Sequence, residues 1–277
     1  MKLNILMGGK AGQGPNILAD VIAGGFIDKG FYAFYSRDYQ SIIRGGHNFN
    51  MVSVSENPIY SNSNKIDVLV CLDENTEKLH KNKLSKDAIV LKGEEHHNMY
   101  FAGVLYKIFG IELRNLERHL VHLKNFDENM REARKGYNQE TRKINLPATT
   151  LKKINFMNGS QAVARASLAS GLQYYYAYPM TPATPLMMEL GQMQMKKENK
   201  HRVIELENEI AVILATLGSS LTGARAMCGT SGGGFDLMSE TLSLNGIIEN
   251  PSVFVLAQRP GPATGLPTWT AQGDLLM

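Results

Sequence analysis

Four short stretches in the second half of the chain carry residue types that can do chemistry. Thr181 lies within Tyr178-Pro179-Met180-Thr181-Pro182-Ala183-Thr184-Pro185, where three prolines exclude both a helix and a central strand. The aromatic run at 172–177 before it reads as a strand, and residues 186–194 after it read as a helix. Thr181 is then held in a stiff loop at the carboxyl end of a strand, where open α/β sheets place ligands; a plain proline-rich turn is the equal alternative. Glu209 closes the acidic run Glu205-Leu206-Glu207-Asn208-Glu209 and leads directly into the apolar stretch 210–217. A carboxyl group beside so apolar a helix is partly desolvated and suited to share a proton with a ligand nitrogen. Glu205 and Glu207 need do no more than complement the helix dipole. Thr230-Ser231-Gly232-Gly233-Gly234 follows a strand signal and reads as a further loop. Arg259, in Gln258-Arg259-Pro260-Gly261-Pro262-Ala263-Thr264-Gly265-Leu266-Pro267-Thr268, follows the apolar stretch 253–256 and offers a fork to a carboxylate.

The first half holds two weaker candidates. Gly8-Gly9-Lys10-Ala11-Gly12-Gln13-Gly14-Pro15 lacks the glycine order of a dinucleotide fingerprint, and no Gly-Lys-Ser/Thr closes it as in a Walker loop. It sets small residues and backbone N–H groups at a helix start, which suits an anion or a tight strand-to-helix turn equally well. In Ser41-Ile42-Ile43-Arg44-Gly45-Gly46-His47-Asn48, Arg44 can meet a phosphate while His47 and Asn48 add hydrogen-bonding groups. A structural or interface role suits the same residues.

The elements that must position these groups alternate in type. Strand signals at 3–7, 50–54 and 68–72 accompany a helix at 16–28, with Asp73 as a helix cap. Residues 97–109, 113–124 and 128–135 read as helical. These assign a first domain to 1–142 and a linker to 143–155. The second domain, 156–277, starts with a helix at 161–169 capped by Asn158-Gly159-Ser160. Strand signals follow at 174–178, 201–206, 224–228 and 252–256, with helices between them. The fold class is therefore α/β in both domains, the second a mostly parallel sheet. Its last signal is a loop, so that sheet reads as incomplete. In such a sheet the strand ends converge, which would gather Thr181, Glu209, Thr230 and Arg259 on one rim.

Composition narrows the classes. The chain has 277 residues, 43% hydrophobic, with a net charge of +3 and both signs mixed along it, which offers no argument for nucleic acid. No window approaches the roughly 18 apolar residues of a membrane span, and the start shows no signal peptide. Cys71 and Cys228 are far apart in apolar contexts and read as buried free thiols suited to a reducing cytoplasm. Two thiols fall short of the roughly four that an iron–sulfur cluster takes, and no metal ligand set is assigned to this chain.

Taken together, the loop 178–185, the Glu-x-Glu of Glu207 and Glu209, Thr230-Ser231-Gly232 and the stretch 258–268 resemble the alpha subunit of 2-oxoacid:ferredoxin oxidoreductases. Gly9-Lys10-Ala11-Gly12-Gln13-Gly14 and Ser41 to Asn48 resemble the gamma domain of that family, fused ahead of the alpha part as in its 2-oxoglutarate enzymes. The resemblance implies a pyrimidine-binding thiamine-diphosphate domain in the second half. It implies CoA-dependent oxidative decarboxylation of a 2-oxoacid, with 2-oxoglutarate to succinyl-CoA the first choice and two electrons passed to ferredoxin. Thr181 would hydrogen-bond the keto acid and Arg259 would bind its carboxylate. Glu209 would contact the thiamine aminopyrimidine and promote the tautomer that deprotonates the thiazolium. Thiamine diphosphate would be shared with a beta subunit, Mg2+ and the iron–sulfur cluster would lie on partner subunits, and CoA would be a co-substrate. Two departures stand out: Gly233 replaces a proline of the family's Thr-Ser-Gly loop, and alpha subunits continue well past Leu275. A non-catalytic assembly or nucleotide-binding module is the alternative function.

Overall fold

A strand buried along most of its length, β1 (Lys2–Gly9), organises the first half. The computed structural model describes residues 1–259 except 11, 39–45, 94–96, 142, 151–152 and 197. Beside β1 lie β2 (Tyr32–Asp38), β3 (Asn48–Ser55), β4 (Ile66–Cys71) and β5 (Leu84–Lys92), in the order β2-β3-β1-β4-β5. β1 pairs in parallel with β4 and antiparallel with β3, so the sheet is mixed. Alternation along each strand divides the apolar residues between two faces. Ile5, Met7, Val52, Val54, Val68 and Val70 face one core, whereas Leu6, Met51, Leu69 and Cys71 face a second, smaller cluster.

Among the described residues, five α-helices accompany the sheet: α1 (Pro15–Asp28), α2 (Glu74–His80), α3 (Asn98–Ile108), α4 (Leu113–Leu120) and α5 (Phe126–Gln139). Gly14 takes a left-handed φ of 76° before Pro15, so the glycine supplies the turn and the proline starts the helix. The expected Asp73 cap is present, its Oδ1 accepting from the N–H groups of Asn75 and Thr76 at 3.1 and 2.9 Å. Two edge strands, β2 and β5, went unread because both are half-exposed and β5 carries Lys86 and Asp87, which blurs the apolar period. Two residues of the stretch expected to link the domains are hydrogen-bonded to the first unit. Ile144 N–H donates to the Ile108 carbonyl at 3.0 Å, and the Thr149 hydroxyl donates to the Lys29 carbonyl at 2.7 Å.

The contact pattern separates Met1–Phe156 from Met157–Met277. The second unit contains α6 (Gly159–Ala169), β6 (Tyr174–Ala177), α7 (Thr184–Gln194), β7 (Arg202–Glu205), α8 (Glu209–Leu221), β8 (Ala226–Thr230), α9 (Gly232–Ile247) and β9 (Val253–Leu256). Its described strands form one parallel sheet in the order β7-β6-β8-β9. Tyr175, Ala177 and Met227 pack with Ala164, Leu186 and Leu190 of α6 and α7. Tyr176 and Cys228 pack on the other face with Val212, Ile213 and Met238 of α8 and α9. The capping expectation at α6 is met by a reciprocal pair: Gln161 N–H donates to Asn158 Oδ1 at 2.9 Å, and Asn158 N–H donates to Gln161 Oε1 at 3.2 Å.

Two local expectations are corrected. Pro185 falls in the first turn of α7, where a missing N–H costs nothing, so the proline loop ends sooner than its composition indicates. Residues 232–234 are not loop but the first turn of α9, with Ser231 as N-cap.

Helices α3 and α5 cross where glycines remove the side chains. A Cβ at Gly103 would overlap the Ala133 carbonyl, and one at Gly136 would overlap the Tyr100 carbonyl. Gly103→Ala is therefore expected to destabilise the protein by about 3 kcal/mol. Gly191→Ala, in α7 with open space around it, should stabilise by about 0.5–1 kcal/mol. Denaturant midpoints of the two variants check the contrast.

Candidate active site

Parallel pairing puts four strand ends on one edge of the second sheet. Ala177 is in register with Glu205 of β7 and Gly229 of β8, and Thr230 is in register with Leu256 of β9. Past these ends come the Thr181 loop, Glu209 at the start of α8, the Thr230–Ser231 turn into α9, and Arg259. The sequence-derived rim is thus present in the topology.

Glu209 is placed by helix capping. Asn208 Oδ1 accepts from the Ala211 N–H at 2.9 Å, which fixes Glu209 as the first residue of α8. The side chain is 3% exposed, and its Oε1 is buried with no hydrogen-bond partner among the described residues. A built Cβ on Gly234 would lie 2.6 Å from that Oε1 and would overlap the Thr230 hydroxyl. Glu209, Thr230 and the backbone of Gly234 therefore form one tight niche. Ser231 Oγ, also fully buried and unpartnered, belongs to the same turn. Unsatisfied polar atoms cost free energy inside a protein, so two of them at a sheet's carboxyl edge point to a polar ligand. The sequence pointed to Glu209 through its apolar helix. Ser231 carried no separate signal, because a helix-capping serine looks alike whether or not its hydroxyl is used.

Thr181 and Arg259, 78 residues apart, are brought into contact: Arg259 Nη1 donates to the Thr181 carbonyl at 2.8 Å. Arg259 is buried, whereas Thr181 is exposed. The proline loop thus serves Arg259 through its backbone and leaves the Thr181 side chain open to a ligand. A cavity of about 270 Å³ lies against Pro182, Ala183, Leu256 and Ala257, with Asn158 and Ser160 of the α6 start on its far wall. Residues 260–268 of the Arg259 stretch lie outside the described residues.

In the first unit, the carboxyl ends of β1 and β4 carry a histidine pair. His47 Nε2 and His80 Nε2 are 2.8 Å apart, both rings pack on Phe49, and a Cβ at Gly8 would meet Thr76 and His47. Both Nδ1 atoms are buried and have no hydrogen-bond partner among the described residues. Burial pushes the His80 imidazole down to about 4, with the neighbouring His47 and then Lys83 adding to the effect. Burial also lowers His47, against the opposing pull of Asp73 and Asp38. His47 had been noted beside Arg44, but His80 is 33 residues away and no spacing rule links them. Ser41, Arg44 and Gly45 of that motif lie outside the described residues, as does Ala11 of the glycine loop. In that loop, Gln13 Oε1 accepts from the Lys10 N–H at 2.7 Å and its Nε2 donates to the Leu72 carbonyl at 2.7 Å, so a side chain braces the turn.

The pair fixes the sign of a pH effect. An imidazole held below its ordinary value of 6.5 takes up its proton more readily in the unfolded chain, so its contribution to stability is complete above about pH 6.5 and is lost as pH falls toward about 4. Denaturant midpoints between pH 7 and pH 4 should fall steeply in the wild type and more gently in His80→Gln. At the second site, Gly234→Ala should cost about 1–3 kcal/mol, because Glu209 and Thr230 must both move. Thermal unfolding checks this against the exposed helical variant Gly246→Ala, which meets open space and should if anything stabilise.

Comparison with known proteins shows what the chain is similar to. Residues 165–277 match the family described as Pyruvate flavodoxin/ferredoxin oxidoreductase, thiamine diP-bdg, and residues 4–97 match Pyruvate ferredoxin/flavodoxin oxidoreductase. A 2-oxoacid:ferredoxin oxidoreductase subunit alpha from Sulfolobus sp is 26% identical over 361 residues, covering 100% of this chain and 57% of its own. The 2-oxoglutarate synthase subunit KorA of Methanocaldococcus jannaschii is 39% identical over 124 residues, which are 45% of this chain and 33% of that protein. The fold matches a solved 2-oxoglutarate:ferredoxin oxidoreductase from Magnetococcus marinus, with a TM-score of 0.85 at 24% identity over 99% of this chain and 55% of that one. The chain therefore spans between a third and three-fifths of the length of these relatives. Two successive family-model matches in one chain, and a relative aligned along all of it, make the chain similar to the 2-oxoacid:ferredoxin oxidoreductases in both of its halves.

Proposed function

We propose that this chain supplies part of the catalytic centre of an enzyme that oxidatively decarboxylates a 2-oxoacid, forms an acyl-CoA and passes two electrons to ferredoxin. Residues 1–142 act as its gamma domain, 143–155 as the linker and 156–277 as the pyrimidine-binding part of an alpha subunit. The observation that carries the reading is the buried, unpartnered Oε1 of Glu209 in its niche with Thr230 and Gly234. A carboxyl group so placed fits a ring nitrogen of thiamine diphosphate, which it would hold by moving or sharing a proton. Thiamine diphosphate, when bound, supplies the electron sink that loss of CO2 from a 2-oxoacid requires.

The other residues then divide the substrate. Arg259, braced on the Thr181 carbonyl, pairs with the carboxylate in a fixed orientation. The Thr181 hydroxyl, on the exposed side of the same loop, donates to the keto-acid group. Held in one place, the substrate needs no further search for the reacting geometry. The diphosphate, its Mg2+ and the iron–sulfur cluster belong to a beta subunit and further partners, and CoA enters as co-substrate. We take 2-oxoglutarate as the substrate, supported by the names of the Methanocaldococcus relative and the Magnetococcus structure, the latter described with 2-oxoglutarate, coenzyme A and succinyl-CoA bound. Among the described residues no helix is long and apolar enough to cross a membrane. We assign the work to the cytoplasm, in keeping with two buried free cysteines that burial pushes up to about 11 at Cys71 and about 12 at Cys228.

Reconstitution tests the reading. With the diphosphate-binding subunit, CoA and 2-oxoglutarate, the chain should reduce an electron-accepting dye. Glu209→Gln should lower kcat roughly 10²–10⁴-fold, as expected for removal of a proton-transferring group. Arg259→Ala should act mainly on KM for the 2-oxoacid. An active wild type with both variants unimpaired would sink the assigned site. A folded chain inactive with every partner would favour the assembly-module alternative.

A further inference from the structure

The oxygens of the Glu209 niche are closed to the outside. Glu209 Oε1 is buried, Ser231 is 0% exposed, and neither oxygen has a hydrogen-bond partner among the described residues. A ligand cannot bond an atom it cannot reach, so one wall of the niche has to move before either oxygen is satisfied. Three described segments meet there: the end of β8 at Thr230, the start of α8 at Glu209, and the first turn of α9 at Gly234.

The first two segments are held firmly. Thr230 ends a strand that lies between β6 and β9, and its carbonyl accepts from the Ala257 N–H at 2.9 Å. The start of α8 is capped by Asn208, and Val212 and Ile213 just beyond it are fully buried in the core. The start of α9 lacks such supports. It opens with Gly232, Gly233 and Gly234, and glycine has the lowest helix preference of any residue except proline. Ser231 stands at the cap position, yet its side chain makes no capping bond, and no acid in the first turn complements the helix dipole. The Gly234 and Phe235 N–H groups both donate to one acceptor, the Ser231 carbonyl, at 2.9 Å. Met238, 1% exposed, is the first α9 side chain in the core.

We propose that residues 231–235 are a gate, which unwinds to admit a ligand to Glu209 and rewinds over it as the first turn of α9. Thr230 and Met238 bound the moving part. Unwinding gives up the two bonds to the Ser231 carbonyl and frees three glycines, so little opposes it. Rewinding over a polar ligand brings partners to Glu209 Oε1 and Ser231 Oγ, so the ligand favours the closed form. The mobility of the turn is argued from its glycines and its unused cap alone. The identity of the ligand, thiamine diphosphate, rests on the proposed function. Gly233 is the place to lock the gate, because it holds the position in α9 that Pro185 holds in α7, where a missing N–H costs nothing.

Amide hydrogen exchange of the full 277-residue chain tests the gate without a partner. Gly234 and Phe235 should exchange about tenfold or more faster, relative to unstructured peptide, than Ala211 and Val212 at the same positions of α8. Gly233→Ala and Gly233→Pro should each slow exchange at Phe235 roughly fivefold, the equivalent of the helix preference gained on leaving glycine. In complex with the diphosphate-binding subunit, thiamine diphosphate with Mg2+ should protect Gly234 and Phe235 of the wild type. Both Gly233 variants, folded by circular dichroism, should capture the cofactor about fivefold more slowly in stopped flow. Gly246→Ala, on the same helix with open space around it, should change neither reading. Wild-type Gly234 and Phe235 as well protected as Ala211 and Val212 overturn the gate. Variants that slow exchange yet capture the cofactor at the wild-type rate also overturn it, and leave the enzyme reading intact. A mobile turn in a complex that never captures thiamine diphosphate overturns the assigned ligand and the enzyme reading together.

Discussion

The backbone ladder that joins β6 to β7 on one side and to β8 on the other sets Ala177 beside both Glu205 and Gly229, and the candidate site hangs from that register. In a parallel sheet every strand leaves in the same direction, so each following loop or helix start emerges on the same edge. Slipping the pairing by one residue would turn Tyr175 and Tyr176 to the wrong faces and open both cores at once. Burial of those two tyrosines therefore does more than stabilise the unit. It fixes where Glu209, Thr230 and Arg259 emerge.

Close approach is the second recurring device, and glycine permits it. Gly103 and Gly136 let two helices touch backbone to backbone beside the larger core of the first unit. Gly229 leaves room for the Tyr175 hydroxyl, and Gly234 leaves room for the Glu209 carboxyl and the Thr230 hydroxyl. In each case a methyl group would fall inside the contact distance of a polar atom. Of the glycines after Ser231, Gly234 is explained by this crowding at the start of α9, where its backbone lies against Glu209.

Buried polar groups occur at the carboxyl edges of both sheets. The His47–His80 pair must share a hydrogen between facing nitrogens, so at least one ring stays neutral in the native state. Glu209 Oε1 and Ser231 Oγ are left unpartnered on the second edge. Each such group costs free energy, so finding them together marks these edges as candidate sites.

Much of this was legible along the chain. Period-two and helical apolar patterns located β1, β3, β4 and most helices, and the cap residues Asp73 and Asn158 marked helix starts through their own hydrogen bonds. Glu209 was recognisable because an acid next to a long apolar helix is locally conspicuous. These features depend on neighbours a few residues away, so the amino-acid order by itself determined them, together with the succession of strands and helices that makes the fold α/β. The edge strands β2 and β5, the first turn of α9, the Arg259–Thr181 contact and the His47–His80 pair were decided only by tertiary structure. Each depends on groups brought together from distant parts of the chain, or on a half-exposed surface where burial no longer writes a pattern. Local hydrogen bonding and apolar period act within a turn or a strand, whereas a site is built by packing, which alone brings residues 78 positions apart to 2.8 Å.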